Sequence, residues 1–172
     1  MKEDNLMPAA ADNEEYFQLW VIIAQSKDAM LRARERDYAR FGISNERRAI
    51  LFTVYDCGGR CTPTKIARRL FREVHSVTEM LGRMEKDGLI TRQKANGHNK
   101  VEVRLTEKGL NIFKQSLNSE TDKRILSVLD EDERKTLASL LRKVRNSALE
   151  ELGMSAWKKE FPTEPQFEGQ PE

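Results

Sequence analysis

The sequence predicts a mainly α-helical protein with a small β-hairpin wing: a winged helix-turn-helix set between long N- and C-terminal dimerisation helices. Three observations lead there. Apolar residues recur at helical spacing over long stretches at both ends of the chain. In the middle, three shorter helical patterns follow one another, punctuated by Gly42, Gly58-Gly59 and Gly88. One stretch alone, TRQKANGHNKVEVRLTEKG at 91–109, reads as two short strands around an Asn-Gly, the preferred dipeptide of a tight hairpin turn.

The elements follow in order. Residues 1–13 read as a frayed lead. A long helix is expected from Glu14 to about Arg40, with Phe17, Trp20, Ile23 and Ala24 on one stripe, then Met30, Leu31 and Tyr38. Its first half is apolar on more than one side, more than a small domain's own core covers. Gly42 stops it. Ser44 opens a helix through Ile50, Leu51 and Val54, which ends at Gly58-Gly59. Thr62-Pro63 supplies an N-cap and first-turn proline for the short helix TPTKIARRLF. The next helix runs from Val74 to Asp87 and stops at Gly88. Strands at 89–94 and 100–105 form the hairpin around Asn96-Gly97. Thr106 caps a helix to about Asn118, whose apolar pattern continues through Leu126 and Leu129. Asp130 and Glu133 form a capping box for a last helix carrying Leu137, Leu140, Leu141 and Val144 toward Leu152. After Gly153 come three prolines and no periodicity; the tail is either unstructured or docks through Trp157, Phe161 and Phe167. The expected divisions are an arm at 1–43, a winged domain at 44–105, and C-terminal helices with a tail at 106–172.

Composition narrows the function. The 172 residues are 38% hydrophobic and 34% charged, which fits one domain with arms and a modest core. No apolar run approaches the ~18 residues of a membrane span. The acidic start MKEDNLMPAAADNEE has no signal core, so a cytoplasmic location without a membrane partner is expected. Cys57 and Cys61, in CGGRC, are too few for a secreted disulfide framework, and with two histidines they make no convincing zinc site. They read as reduced thiols around a turn, with a redox-sensing pair as the alternative. No Gly-rich phosphate loop, metal cluster or nucleophile–base arrangement is present, so neither enzyme nor cofactor is expected.

Charge points elsewhere. Residues 60–104 hold eleven Lys/Arg against five acids, a local excess of +6, while the whole chain carries +2. A basic middle between acidic arms is the electrostatic footprint of a polyanion binder. On a helical wheel of 74–87, Val77, Met80, Leu81 and Met84 share one face. The opposite face presents His75, Glu79, Gly82 and Lys86, flanked by Ser76, Thr78 and Arg83. A short, polar, hydrogen-bonding face of this kind suits a helix lying in the major groove of duplex DNA. A mid-helix glycine costs about 1 kcal/mol relative to alanine, so Gly82 serves either close approach to phosphate or packing.

Thr62-Pro63, HSVT at 75–78, RMEKDGLI at 83–90 and VRLTEKG at 103–109 give the middle a specific look. In order and spacing the stretch 62–109 resembles the core of the MarR family of transcriptional regulators. The resemblance implies a homodimer interlocked by its terminal helices, binding a palindromic operator in double-stranded DNA as a repressor. It also implies release by a small aromatic or phenolic effector, for which Phe17, Trp20 and Tyr38 are the candidate contacts. The expected DNA-facing set is Thr62, Thr64, Lys65 and Arg72, then His75, Ser76, Thr78, Glu79 and Arg83 of the reading helix, then Lys94, His98, Asn99 and Lys100 of the wing. Two departures stand out. The family's wing usually carries Asp-x-Arg where this chain has Gly97, His98 and Asn99, so the charge falls to Lys100, Lys94 or Arg104. Glu79 stands where many members have a basic or small residue. The alternative function is a winged-helix module turning the same face to an acidic protein partner.

Overall fold

Residues 7–94 and 101–161 are described by a computed structural model. The first helix, α1 (Met7–Tyr38), begins seven residues earlier than the apolar pattern suggests. Pro8 is preorganised for a first helical turn, and Ala9-Ala10-Ala11 are the strongest helix formers, so propensity extends the helix where amphipathicity is silent. A 3-10 turn over Ala39–Phe41 ends on Gly42 in the left-handed region.

Caps read from the sequence hold the next helices. In α2 (Asn45–Asp56) the Arg47 N–H donates to the Ser44 hydroxyl, and in α3 (Pro63–Arg69) the Lys65 N–H donates to Thr62. Thr106 receives the Gly109 N–H at the head of α5 (Glu107–Ser116). The reciprocal Asp130–Glu133 capping box opens α7 (Glu131–Glu151). Each such cap is worth about 1 kcal/mol.

The sheet has three strands rather than the expected two. Between α2 and α3, β1 (Arg60–Cys61) pairs antiparallel with β3 (Val101–Leu105), which pairs in turn with β2 (Ile90–Lys94), in the order β1-β3-β2. Two residues are too short for any alternation to announce a strand; only the distant partner at Val103 and Arg104 makes one. The expected Asn96-Gly97 turn lies outside the described residues.

The core sits between α2, α3, α4 (Val74–Lys86), α5 and the sheet. Ile50, Leu51, Val54, Ile66, Val77, Leu81, Met84, Ile90, Val103 and Phe113 are fully buried, joined by Tyr38 from the end of α1. Burying side chains of this size contributes about 1.5–3 kcal/mol each. Gly109 lets the first turn of α5 lie directly against Leu89, the residue that leads into β2: a Cβ there would lie 1.9 Å from the Leu89 carbonyl oxygen.

Beyond α5 the apolar pattern does not give one helix. α5 stops at Ser116 and a separate α6 covers Thr121–Leu126. The hydroxyls of Ser119 and Thr121 donate to the carboxylate of Asp37 on α1, a long-range clasp that diverts the chain between them. No helix among the described residues is long and apolar enough to cross a membrane.

Candidate nucleic-acid interface

α4 buries Val77, Leu81 and Met84 against α3 and the sheet. That seating turns His75, Ser76, Thr78, Glu79, Arg83 and Lys86 outward, all exposed. Met80 is partly buried against the core, as its place on the wheel requires. Thr78 donates its hydroxyl to the Val74 carbonyl at 2.8 Å, which leaves its oxygen as an outward acceptor. Gly82 faces open space on this side of the fold, where an added Cβ would meet only the Arg92 guanidinium, at 3.9 Å.

The wing is braced to α4. Arg92 of β2 donates from Nε and Nη2 to one Glu85 oxygen, at 2.9 and 2.7 Å, while its backbone N–H reaches the other at 2.9 Å. Arg92 thereby holds the Glu85 carboxyl below the usual carboxylate range. Arg104, a candidate for the wing's missing charge, is instead tied to Glu102 at 2.6 Å. Lys94 is exposed at the end of β2. His98, Asn99 and Lys100 lie outside the described residues.

Several basic residues of the middle segment are internally paired. Arg69 bonds Asp56, and Arg72 bonds Glu46 at 2.8 Å. Arg83, Lys86 and Lys94 are exposed and have no ion pair among the described residues, which leaves positive charge beside α4 and at the end of β2. Thr62 is engaged as the α3 cap, Thr64 is exposed on the first turn of α3, and Lys65 is half-buried beside them. The turn from α3 to α4 holds Phe71 in the left-handed region at φ 51°. For a bulky residue this conformation costs on the order of 1–3 kcal/mol.

The three effector candidates do not meet within one protomer. Phe17 and Trp20 stack at 6.2 Å and lie exposed on α1, whereas Tyr38 is buried in the winged core. Eighteen residues of helix separate Trp20 from Tyr38, about 27 Å at 1.5 Å per residue. Around Tyr38 the structure gathers residues with no local sequence signal. Arg34 and Arg48 lie over its ring at 5.3 and 5.1 Å, its hydroxyl accepts from Arg34 at 2.9 Å, and Arg48 also covers Phe113 at 5.5 Å. Burial pushes the Arg48 guanidinium down from its ordinary value. On another side of α1 a cavity of about 330 Å³ is lined by Ala33, Arg36, Asp37, Arg40, Thr121, Arg124 and Ile125.

The two thiols lie together, with Sγ atoms 3.2 Å apart and no bond between them. Burial, then the contact with Cys57, pushes the Cys61 thiol up to about 12.

Comparison with known proteins matches this geometry. The MarR family profile matches residues 43–100. The ligand-free form of RdhR-CbdbA1625, an organohalide-sensing transcriptional regulator, is 32% identical over 96% of this chain and 99% of its own, with a TM-score of 0.78. The chain belongs to the MarR family. Its fold is that of a MarR-family winged-helix transcriptional regulator. The same relative in its 2,4-dichlorophenol-bound form is 33% identical over 87% of this chain and 90% of its own, at a TM-score of 0.71. MarR itself from E. coli, a cysteine-to-serine variant complexed with operator DNA, shares the fold at a TM-score of 0.70, with 24% identity over 76% of this chain and 95% of its own. No curated protein sequence matches the chain.

Proposed function

We propose that this protein is a homodimeric, cytoplasmic repressor that binds a palindromic operator and leaves it when a small aromatic molecule binds. The observation that carries the DNA assignment is the outward face of α4. It sets short polar groups, an unfilled Gly82, and Arg83 and Lys86, which have no ion pair among the described residues, beside a wing braced by Arg92 to Glu85. In this reading α4 lies in the major groove, with His75, Ser76, Thr78, Glu79 and Arg83 at base edges. Thr62, Thr64, Lys65 and the wing residues Lys94, His98, Asn99 and Lys100 position the protein on the backbone, and Arg72 joins them by exchanging its exposed pair with Glu46 for a phosphate. E. coli MarR was crystallised with operator DNA, which supports the same use of the fold here.

Dimerisation uses the arms, residues 1–43 and 106–172, outside the reading head at 44–105. Tyr16, Phe17, Leu19, Trp20 and Ile22 of α1, with Leu140 and Val144 of α7, are each more than half exposed in the single chain. An apolar surface of that extent requires a partner, and a second copy of the chain supplies one.

The effector is a small aromatic of the kind bound by the relative crystallised with 2,4-dichlorophenol. Phe17 and Trp20 from one protomer and the arginine-flanked Tyr38 region of the other are the surfaces it would touch. Arg34 and Arg48 flank the Tyr38 ring, with Arg34 paired to Asp122 at 3.2 Å, and Arg48 is the guanidinium left to face a phenolate. The test is fluorescence anisotropy of labelled duplexes across a salt series, with and without 2,4-dichlorophenol. The expected result is salt-steep binding that favours an inverted repeat and weakens with the phenol. Binding insensitive to salt and sequence would favour the protein-interaction reading instead.

A further inference from the structure

We propose that residues 155–161 form a strap by which α7 positions the DNA-reading head, with the stack of Phe161 on Phe71 as its clasp. The inference rests on the assignment of α4 as the reader. The strap is built after α7. Gly153, at φ 66°, reverses the chain, the Met154 N–H returns to the Leu149 carbonyl at 2.7 Å, and a 3-10 turn follows over Ser155–Glu160. Lys158 pairs with Glu150 and so fastens the turn to α7.

Its far side lies on the helix-turn-helix. The Arg68 guanidinium of α3 sits over the Trp157 ring at 5.6 Å. Phe161 stacks on Phe71 with centroids 5.2 Å apart and planes 6° from parallel, and Arg145 of α7 covers the Phe161 ring at 4.7 Å. Phe161 is therefore gripped from both α7 and the turn joining α3 to α4. Phe71 is also the one non-glycine at positive φ among the described residues. A strained conformation persists only where its surroundings over-determine it. Glycine would relieve the backbone but would remove the ring that the strap holds. The turn is short and continuous with α4, so a fixed Phe71 fixes where the head of the reading helix sits relative to α7. Phe71 and Phe161 act through α4 and are positioning residues.

The experiment uses the full chain and its Phe161→Ala, Phe161→Tyr and Phe71→Gly variants. Amide hydrogen exchange over residues 68–78 is measured on DNA-free protein. Affinity is measured for the duplex recovered by binding-site selection on the wild type and for a scrambled duplex. Phe161→Ala should speed exchange in 68–78 and weaken the selected duplex about tenfold, the most that one aromatic pair supplies. The scrambled duplex should change little. Phe161→Tyr keeps the ring and should behave as wild type, while Phe71→Gly should lose affinity although its backbone is relaxed. Unchanged exchange in Phe161→Ala would overturn the strap. Faster exchange with unchanged discrimination, or a gain in affinity, would overturn its positioning role. A wild type that binds no duplex would instead remove the reader assignment, and the exchange result alone would then decide whether the strap holds the turn.

Discussion

The Leu89 carbonyl oxygen occupies the space where any side chain on Gly109 would begin, 1.9 Å from an ideal Cβ. Gly82, seven residues before Leu89, has the opposite surroundings, with only the Arg92 guanidinium near, at 3.9 Å. One glycine is required by the fold and the other is not.

Gly109→Ala must therefore push α5 off the Leu89 backbone and should destabilise the protein by about 1–3 kcal/mol, the usual cost of overpacking. Gly82→Ala should instead stabilise it by about 1 kcal/mol through helix propensity. If DNA backbone fills the space at Gly82, that same variant binds duplex less tightly. Urea denaturation and anisotropy on the two variants check this. A Gly82→Ala protein with unchanged or tighter DNA binding would show that nothing approaches there.

Acid should loosen the joint between α1 and α6. The hydroxyls of Ser119 and Thr121, and then Arg40, hold the Asp37 carboxyl below its ordinary value. A depressed pKa contributes stability above the unfolded value, about 3.9 for Asp, and that stability is lost as pH falls through the folded value. Asp37→Asn should thus lower Tm at neutral pH and flatten its decline below about pH 4. Parallel pH profiles for the variant and wild type would show that the clasp contributes nothing.

The exposed apolar surface of α1 predicts a dimer. Trp20→Glu with Ile22→Glu, both outside the core, should yield a monomer at micromolar concentration that keeps its helical circular dichroism and binds operator weakly. Sedimentation velocity reads the outcome, and a wild type that sediments as a monomer would refute the arm assignment.

Thiol chemistry should divide the two cysteines. A buried thiol pushed up to about 12 holds almost no thiolate at neutral pH, so Cys61 should resist alkylation while the half-buried Cys57 reacts. Replacing both by serine should leave DNA binding intact. Loss of a peroxide-induced release in that variant would establish the redox alternative.

Local chemistry made most helices legible. Thr62, Thr106, Ser44 and the Asp130–Glu133 box sit at the helix starts they signalled, because a cap acts within four residues of itself. The buried and outward faces of α4 followed from its period alone. What the sequence hid depends on distant partners. β1 exists only through β3, and the break after Ser116 only through Asp37. For Trp157 and Phe161, whose docking is one of two readings of the tail, the hidden part is the partners Arg68 and Phe71. Phe167 lies outside the described residues. Charge counting also overstated the basic surface, since Arg69, Arg72, Arg92 and Arg104 each spend their charge on a carboxylate within the chain.

The claim that α4 reads bases is tested most directly by binding-site selection on the wild type, Glu79→Ala and Arg83→Ala. Glu79 only accepts hydrogen bonds when ionised, so it should prefer a cytosine amino group and repel phosphate. Its removal should raise affinity for random duplex and relax preference at one base pair per half-site. Arg83→Ala should cost about 1–3 kcal/mol at a guanine, or weaken all sequences alike if Arg83 grips phosphate. With a two-fold dimer, the wild type should recover an inverted repeat whose half-sites are centred one helical turn apart or a multiple of it, with each variant's change mirrored in both halves. Identical preferences in all three proteins, or no repeat in any of them, would contradict the account.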